Sequence, residues 1–141
     1  NDFAKIGELD VLSLSITNNA FLRTDFLKNK HDYKELVLAD SDLIDISNIK
    51  DMSNLSMLNI SNSNIKNPEL ISNLKSVNSL YLQKTDIKDF SFLNDLPSLN
   101  TVGIDREKYD ADNNLFPALE ERNIMFFENG YIPITEVGVS R

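Results

Sequence analysis

Residues 55–76, LSMLNISNSNIKNPELISNLKS, run directly into residues 77–98, VNSLYLQKTDIKDFSFLNDLPS. Set one above the other, these two 22-residue lines place apolar side chains at matching points: Leu55/Val77, Leu58/Leu80, Ile60/Leu82, Ile65/Ile87, Ile71/Leu93 and Leu74/Leu96. A return at so long an interval is not the 3.6-residue beat of a helix or the alternation of a strand. It describes a supersecondary unit that buries its apolar side only by stacking on copies of itself. The rest of the chain therefore reads as further turns, a cap or a tail of one coil.

Each line opens L-x-x-L-x-L, and that opening at a period of about 20 to 29 residues marks a leucine-rich repeat solenoid. The expected class is α/β: a right-handed coil with about five short parallel strands on its concave face. Strand centres fall at Ser13, Val37, Asn59, Tyr81 and Gly103. On the convex side, Leu43, Ile46, Ile49 and Met52 return every third residue, which suits 3₁₀ turns better than an α-helix. Ser41, Ser63 and Thr85 follow the strands, where their hydroxyls can bond neighbouring backbone.

Toward the N-terminus, Phe3, Ile6, Leu9, Leu12 and Leu14 match the spacing of Ile71 to Leu82. Leu14 then stands 24 residues before Leu38, with the extra two placed at Thr17, Asn18 and Asn19. Phe21, Leu27 and Tyr33 fall on the inward track of Leu43, Ile49 and Leu55, and residues 24–30 read as a short helix with Phe26 and Leu27 tucked in. Lys30 breaks the slot filled by Met52, Leu74 and Leu96. No cap precedes Phe3 and Asn1 is not a start methionine, so the sequence reads as an excised piece of a longer protein.

Toward the C-terminus, Leu99, Val102 and Ile104 keep a fifth strand, and then the beat stops. Asn114 reads as an N-cap ahead of an apolar stripe at Leu115, Phe116 and Leu119, with Pro117 in the first turn and Asn123 as the stop. Residues 124–127 read as a last strand. The organisation is then coils at 1–104, a helix-strand cap at 105–127 and a tail at 128–141. The tail's Gly130 and Pro133 leave a hairpin return, a linker and a simple tail equally open.

Of the 141 residues, 41% are hydrophobic, enough for a continuous core. Twenty-two acidic against fourteen basic residues give a net charge of -8, which opposes binding to nucleic acid or an anionic membrane. There is no cysteine, hence no disulfide, thiolate metal site or thiol nucleophile. No apolar run reaches the roughly 18 residues of a membrane span. The single histidine, His31, sits in the polar connection KNKHDYK with no second imidazole, and reads as a surface-loop residue. The acidic pairs Asp40/Asp42, Asp105/Glu107 and Asp110/Asp112 lack calcium-loop spacing. Neither a G-x-S-x-G elbow nor a G-x-G-x-x-G loop occurs. The reading is a non-enzymatic, cofactor-free monomer.

Side chains alternate along a strand, so the residues between the inward leucines form the exposed concave surface. Three stripes result: Val11, Glu35, Met57, Ser79, Thr101; then Ser13, Val37, Asn59, Tyr81, Gly103; then Ser15, Ala39, Ser61, Gln83, Asp105. The candidate partner-binding residues are Val37, Met57 and Tyr81 with Asn59 among them, and Glu35 and Gln83 at the margin. An aromatic and apolar centre with a polar rim is the expected make-up of a protein interface.

The segments LIDISNIKDMSNLSMLNIS and DIKDFSFLNDLPSLNTVGI resemble the 22-residue repeat of bacterial internalin-type leucine-rich repeats, L-x-x-L-x-L-x-x-N-x-I-x-D-I-x-x-L-x-x-L-x-x. The resemblance covers residues 3–104. It departs at the asparagine position, at Pro68 where the family prefers isoleucine or leucine, and in having only five turns. It implies a secreted or surface-attached protein of a Gram-positive bacterium that binds a protein partner through its sheet face. Two other roles fit the residues: a spacer within a larger surface protein, and an intracellular acidic inhibitor or immunity protein masking a basic enzyme.

Overall fold

The computed structural model describes residues 13–17, 27, 32–129 and 133–134. Eight strands of three residues each cross it: β1 (Ser13–Ser15), β2 (Glu35–Val37), β3 (Leu43–Asp45), β4 (Met57–Asn59), β5 (Asn64–Lys66), β6 (Ser79–Tyr81), β7 (Thr101–Gly103) and β8 (Met125–Phe127). Six form one sheet in the order β1-β2-β4-β6-β7-β8, and β3 pairs with β5 in a second. Every pairing is parallel. The five repeat strands are thus extended by β8, which the sequence places in the cap.

The central residue of each strand in the large sheet turns inward, because neighbours on a strand face opposite sides. Leu36, Leu58, Leu80, Val102 and Phe126 line up as Cα partners and are fully buried. A second inward rail, two residues on, carries Ile16, Leu38, Ile60, Leu82 and Ile104. The ladder continues through it: the amides of Leu38, Ile60, Leu82 and Ile104 donate to the carbonyls of Asn59, Tyr81, Gly103 and Phe127 at 2.8 to 3.1 Å. Behind the sheet, Leu27, Ile49, Ile71 and Leu93 close the same core, as the repeat requires.

The first coil differs from the sequence reading. Leu14 pairs with Leu36 and Ser13 with Glu35, so this coil is also 22 residues long and Ile16 lies in line with Leu38. The outward stripes therefore begin at Ser13 and Ser15, not at Val11 and Ser13. Leu12, Leu14 and Ile16 are spaced by two, so a two-residue slip leaves the inward side apolar and goes unnoticed in the sequence. The N-terminal matches from Phe3 to Leu12, Phe21, the short helix at 24–30 apart from Leu27, Lys30 and His31 lie outside the described residues.

A second difference falls at Leu43. It is 38% exposed, and Ile44 at the centre of β3 takes the inward slot opposite Ile65. The apparent three-residue beat from Leu43 starts one residue early because the chain is in a strand there, where only every second residue faces in.

The convex side is built from 3₁₀ helices at Ile46–Asn48, Pro68–Asn73 and Ser91–Asp95, in accord with the spacing of the apolar residues. Asp45 caps the first: its Oδ1 accepts from the Ser47 amide at 2.9 Å and from the Ser47 hydroxyl at 2.7 Å. Pro68 opens the second, where a missing amide costs nothing. The three post-strand hydroxyls behave as the sequence implies. Ser41, Ser63 and Thr85 are buried, Ser41 and Thr85 donate to the carbonyls of Leu38 and Leu82, and the Ser63 Oγ accepts from the Ser41 amide one coil back. Just before each of them the chain turns through a left-handed residue, Asp40 (φ 59°), Asn62 (φ 53°) and Lys84 (φ 55°).

Beyond β7 come two short α-helices, Arg106–Ala111 and Leu115–Glu120. The second matches the sequence reading, though its start is held by Asp112, whose Oδ1 accepts from the amides of Asn114 (3.0 Å) and Leu115 (2.8 Å). Asn123, at φ 65°, provides the stop. The first helix has no counterpart in that reading; its Arg106 amide donates to Glu128 Oε2 at 2.8 Å, a cap supplied from beyond β8. Phe90, Tyr109, Phe116 and Phe126 pack as neighbouring rings 5.2 to 6.1 Å apart and seal the end of the core. Arg122 reaches back to the carbonyls of Asn94 (3.2 Å) and Leu96 (2.9 Å) at the end of the last 3₁₀ helix, the latter shared with the Leu99 amide. Of the tail, Pro133 bridges Phe127 in antiparallel fashion and Ile134 is buried, a return against the cap.

Candidate functional site

The sequence assigns the outward face of the large sheet, and the register shows what it brings together. One row reads Ser13, Glu35, Met57, Ser79, Thr101, Met125. The next reads Ser15, Val37, Asn59, Tyr81, Gly103, Phe127. Adjacent strands stand about 4.8 Å apart, so neighbours in a row touch. Met57 accordingly lies between Glu35 and Ser79, and Asn59 separates Val37 from Tyr81. Val37, Met57, Asn59 and Tyr81 are half-buried and Glu35 is exposed.

The polar members are partly occupied within the chain. Asn59 Oδ1 accepts from the Ser61 amide at 3.0 Å and the Ser61 hydroxyl at 2.7 Å, which turns its carbonyl toward its own strand end. The Ser13 hydroxyl donates to Glu35 Oε1 at 3.3 Å. Gln83 does not sit on a rim. Its amide covers Gly103, and its Nε2 donates to the Glu128 carbonyl at 3.2 Å.

The face also extends further than the sequence stripes. Met125, 45% exposed, and the half-buried Phe127 add a sixth position to each row. The 24-residue step from Thr101 to Met125 breaks the repeat and hides this continuation. Alternation within β8 is the signal for it, since Phe126 faces in and its neighbours face out.

Elsewhere, a groove of about 440 Å³ runs between the convex helices, floored by Pro68, Leu70 and Phe92 and edged by Glu69, Asp89 and Asp95. Hydrogen bonds from Ser91 hold the Asp89 carboxyl below its usual range. Among the described residues, no group of three or more metal-ligating side chains is assembled. No helix among them is long and apolar enough to cross a membrane.

Solved structures share this architecture. An internalin C2 from Listeria monocytogenes strain 4b F2365 superposes with a TM-score of 0.64 at 20% identity, over 72% of this chain and 44% of that one. An internalin InlF from the same strain gives 0.63 at 20% identity, over 89% of this chain and 44% of that one. The chain thus has the internalin-type leucine-rich repeat fold and spans less than half the length of these proteins. Comparison with protein-family profiles and with curated proteins gives no match.

Proposed function

We propose that the chain is a non-enzymatic protein-binding module that recognises a protein partner through the open face of its six-stranded sheet. The observation that carries this is the composition of that face. In a chain of net charge -8, the twelve outward strand positions hold a single charged residue, Glu35, and they include the half-buried Val37, Met57, Tyr81 and Phe127 and the exposed Met125. Charge depletion with aromatic and methionine enrichment is the make-up of an interface core. Glu35, Val37, Met57, Asn59, Tyr81 and Gln83 are the proposed contact set. The coils and the cap act as one unit, monomeric and cofactor-free, in a secreted or surface-attached bacterial protein.

Tyr81→Ala tests the reading: an aromatic anchor truncated at such a surface costs on the order of 2 kcal/mol of affinity. Unchanged binding by a folded variant would move the site off this face. The net charge of -8 favours a second reading, an inhibitor that masks a basic enzyme. Ionic strength separates the two, because attraction between exposed charges collapses in salt and apolar contact does not.

A further inference from the structure

Resting on the sheet-face reading above, we infer that the contact centre lies on β6, β7 and β8 around Gly103, and that it takes an uncharged, apolar side chain of the protein partner. Ser79, Tyr81, Thr101, Gly103, Met125 and Phe127 are the outward positions of these three strands, and none carries a charge. Since 26% of the chain is charged, six arbitrary positions would hold one or two charges. The same strands carry both aromatic residues of the face and Met125, its most exposed large apolar residue. Glu35 lies two strands away from β6.

Gly103 shapes the centre of this area. It stands in one row between Tyr81 and Phe127, so two aromatic residues flank a strand position with no side chain of its own. The place a Cβ would take is filled by the amide of Gln83, with Nε2 and Oε1 each 2.4 Å from it. That amide is the far end of a flexible side chain, anchored by one hydrogen bond to the Glu128 carbonyl. Moving it aside opens a slot between two rings, floored by backbone. Such a slot suits an aliphatic or aromatic side chain, and the outward positions of the three strands around it carry no charge.

A phage-displayed random-peptide library panned on the full chain supplies the probe. Enriched peptides are expected to carry aromatic or aliphatic side chains without an excess of basic residues. Met125→Lys and Gly103→Val should each weaken the selected peptides about tenfold or more, with Ser15→Lys, at the far end of the same row, changing affinity less than about threefold. Glu69→Lys, on the opposite side of the coil, serves as the control, and circular dichroism verifies the fold of each variant. Equal losses in both halves, or a larger loss at Ser15, overturn the placement on β6–β8 and leave the sheet-face reading standing. Indifference to every sheet variant overturns both, and so does failure to enrich any peptide over library background.

Discussion

Gln83 covers Gly103 so closely that a Cβ on the glycine would fall 2.4 Å from the Gln83 amide. The two belong to neighbouring coils, and the missing side chain on one is matched by a folded-over side chain on the other. Gly103→Ala should therefore be nearly neutral. Removing a glycine from a strand gains about 0.5 to 1 kcal/mol, and displacing Gln83 from Glu128 gives up about 0.5 to 1.5 kcal/mol. A denaturant midpoint corresponding to a loss above about 2 kcal/mol would mean that the amide cannot swing away.

Tyr33 is 2% exposed and its hydroxyl is buried without a hydrogen-bond partner among the described residues. Tyr33→Phe removes the orphaned group and keeps the ring, so it should stabilise the fold by about 1 kcal/mol. Burial raises the Tyr33 pKa above its ordinary value of 10.0. The folded state then holds the phenolic proton more tightly than the unfolded chain does. Stability is intact below pH 10 and declines as the pH rises from there toward the raised folded value. In thermal melts between pH 9 and 11, about two units around that value, Tyr33→Phe should lose less stability than the parent.

Lys84 occupies the left-handed position that Asp40 and Asn62 hold in the preceding coils. Aspartate and asparagine tolerate this conformation, and an extended side chain such as lysine is strained in it. Lys84→Asn should gain about 0.5 to 1 kcal/mol, read by chemical denaturation. The backbone bond from the Lys84 amide to Asp105 Oδ2, 2.9 Å, is open to either residue.

Asp45 is the side-chain cap of the first described 3₁₀ helix. Desolvation raises its pKa, and the hydrogen bonds from Ser47 and Asn67 with the charge of Lys66 together outweigh that and leave it lowered. A lowered folded pKa means stability that is present above the unfolded value of 3.8 and is lost as the pH falls through the folded one. Asp45→Ala should cost about 1 kcal/mol at neutral pH. The gap between variant and parent should narrow on acidification, and a gap that stays constant below pH 3.8 would exclude an ionic cap.

Leu43 and Ile44 are adjacent, equally apolar and oppositely placed, at 38% and 0% exposure. Ile44→Ala should cost about 2 to 5 kcal/mol through the cavity it leaves, and Leu43→Ala less than about 1 kcal/mol. The reverse order in urea titrations would restore the track read from the sequence.

That pair shows where the sequence is informative and where it is not. The period of 22 is legible because a solenoid imposes the same inward demand on every coil, and Leu58, Leu80 and their equivalents answer it. The exact inward residue at Leu43/Ile44 is not, since either leucine or isoleucine satisfies an apolar count. The offset of β1 stayed hidden because Leu12, Leu14 and Ile16 make two registers equally apolar. The helix Arg106–Ala111 buries no residue fully and takes its cap from Glu128, so it leaves no local signal. On the site, the strand alternation located Val37, Met57 and Tyr81 on the face. The position of Gln83 depends on Gly103 in the next coil and on Glu128 at a separation of 45 residues, which no local pattern encodes.

Consecutive coils are joined by one recurring stitch: the amides of Ser56, Asn78 and Asn100 donate to the carbonyls of Lys34, Ser56 and Asn78, and Met125 takes up Asn100 at the end. Each coil is thus fitted only to its immediate neighbours, with the same join on either side. A lineage carrying this protein can therefore lengthen or shorten it by whole coils, widening or narrowing the sheet by about 4.8 Å each time, without redrawing the interior. The aromatic end around Phe116 is a part that such editing has to leave in place.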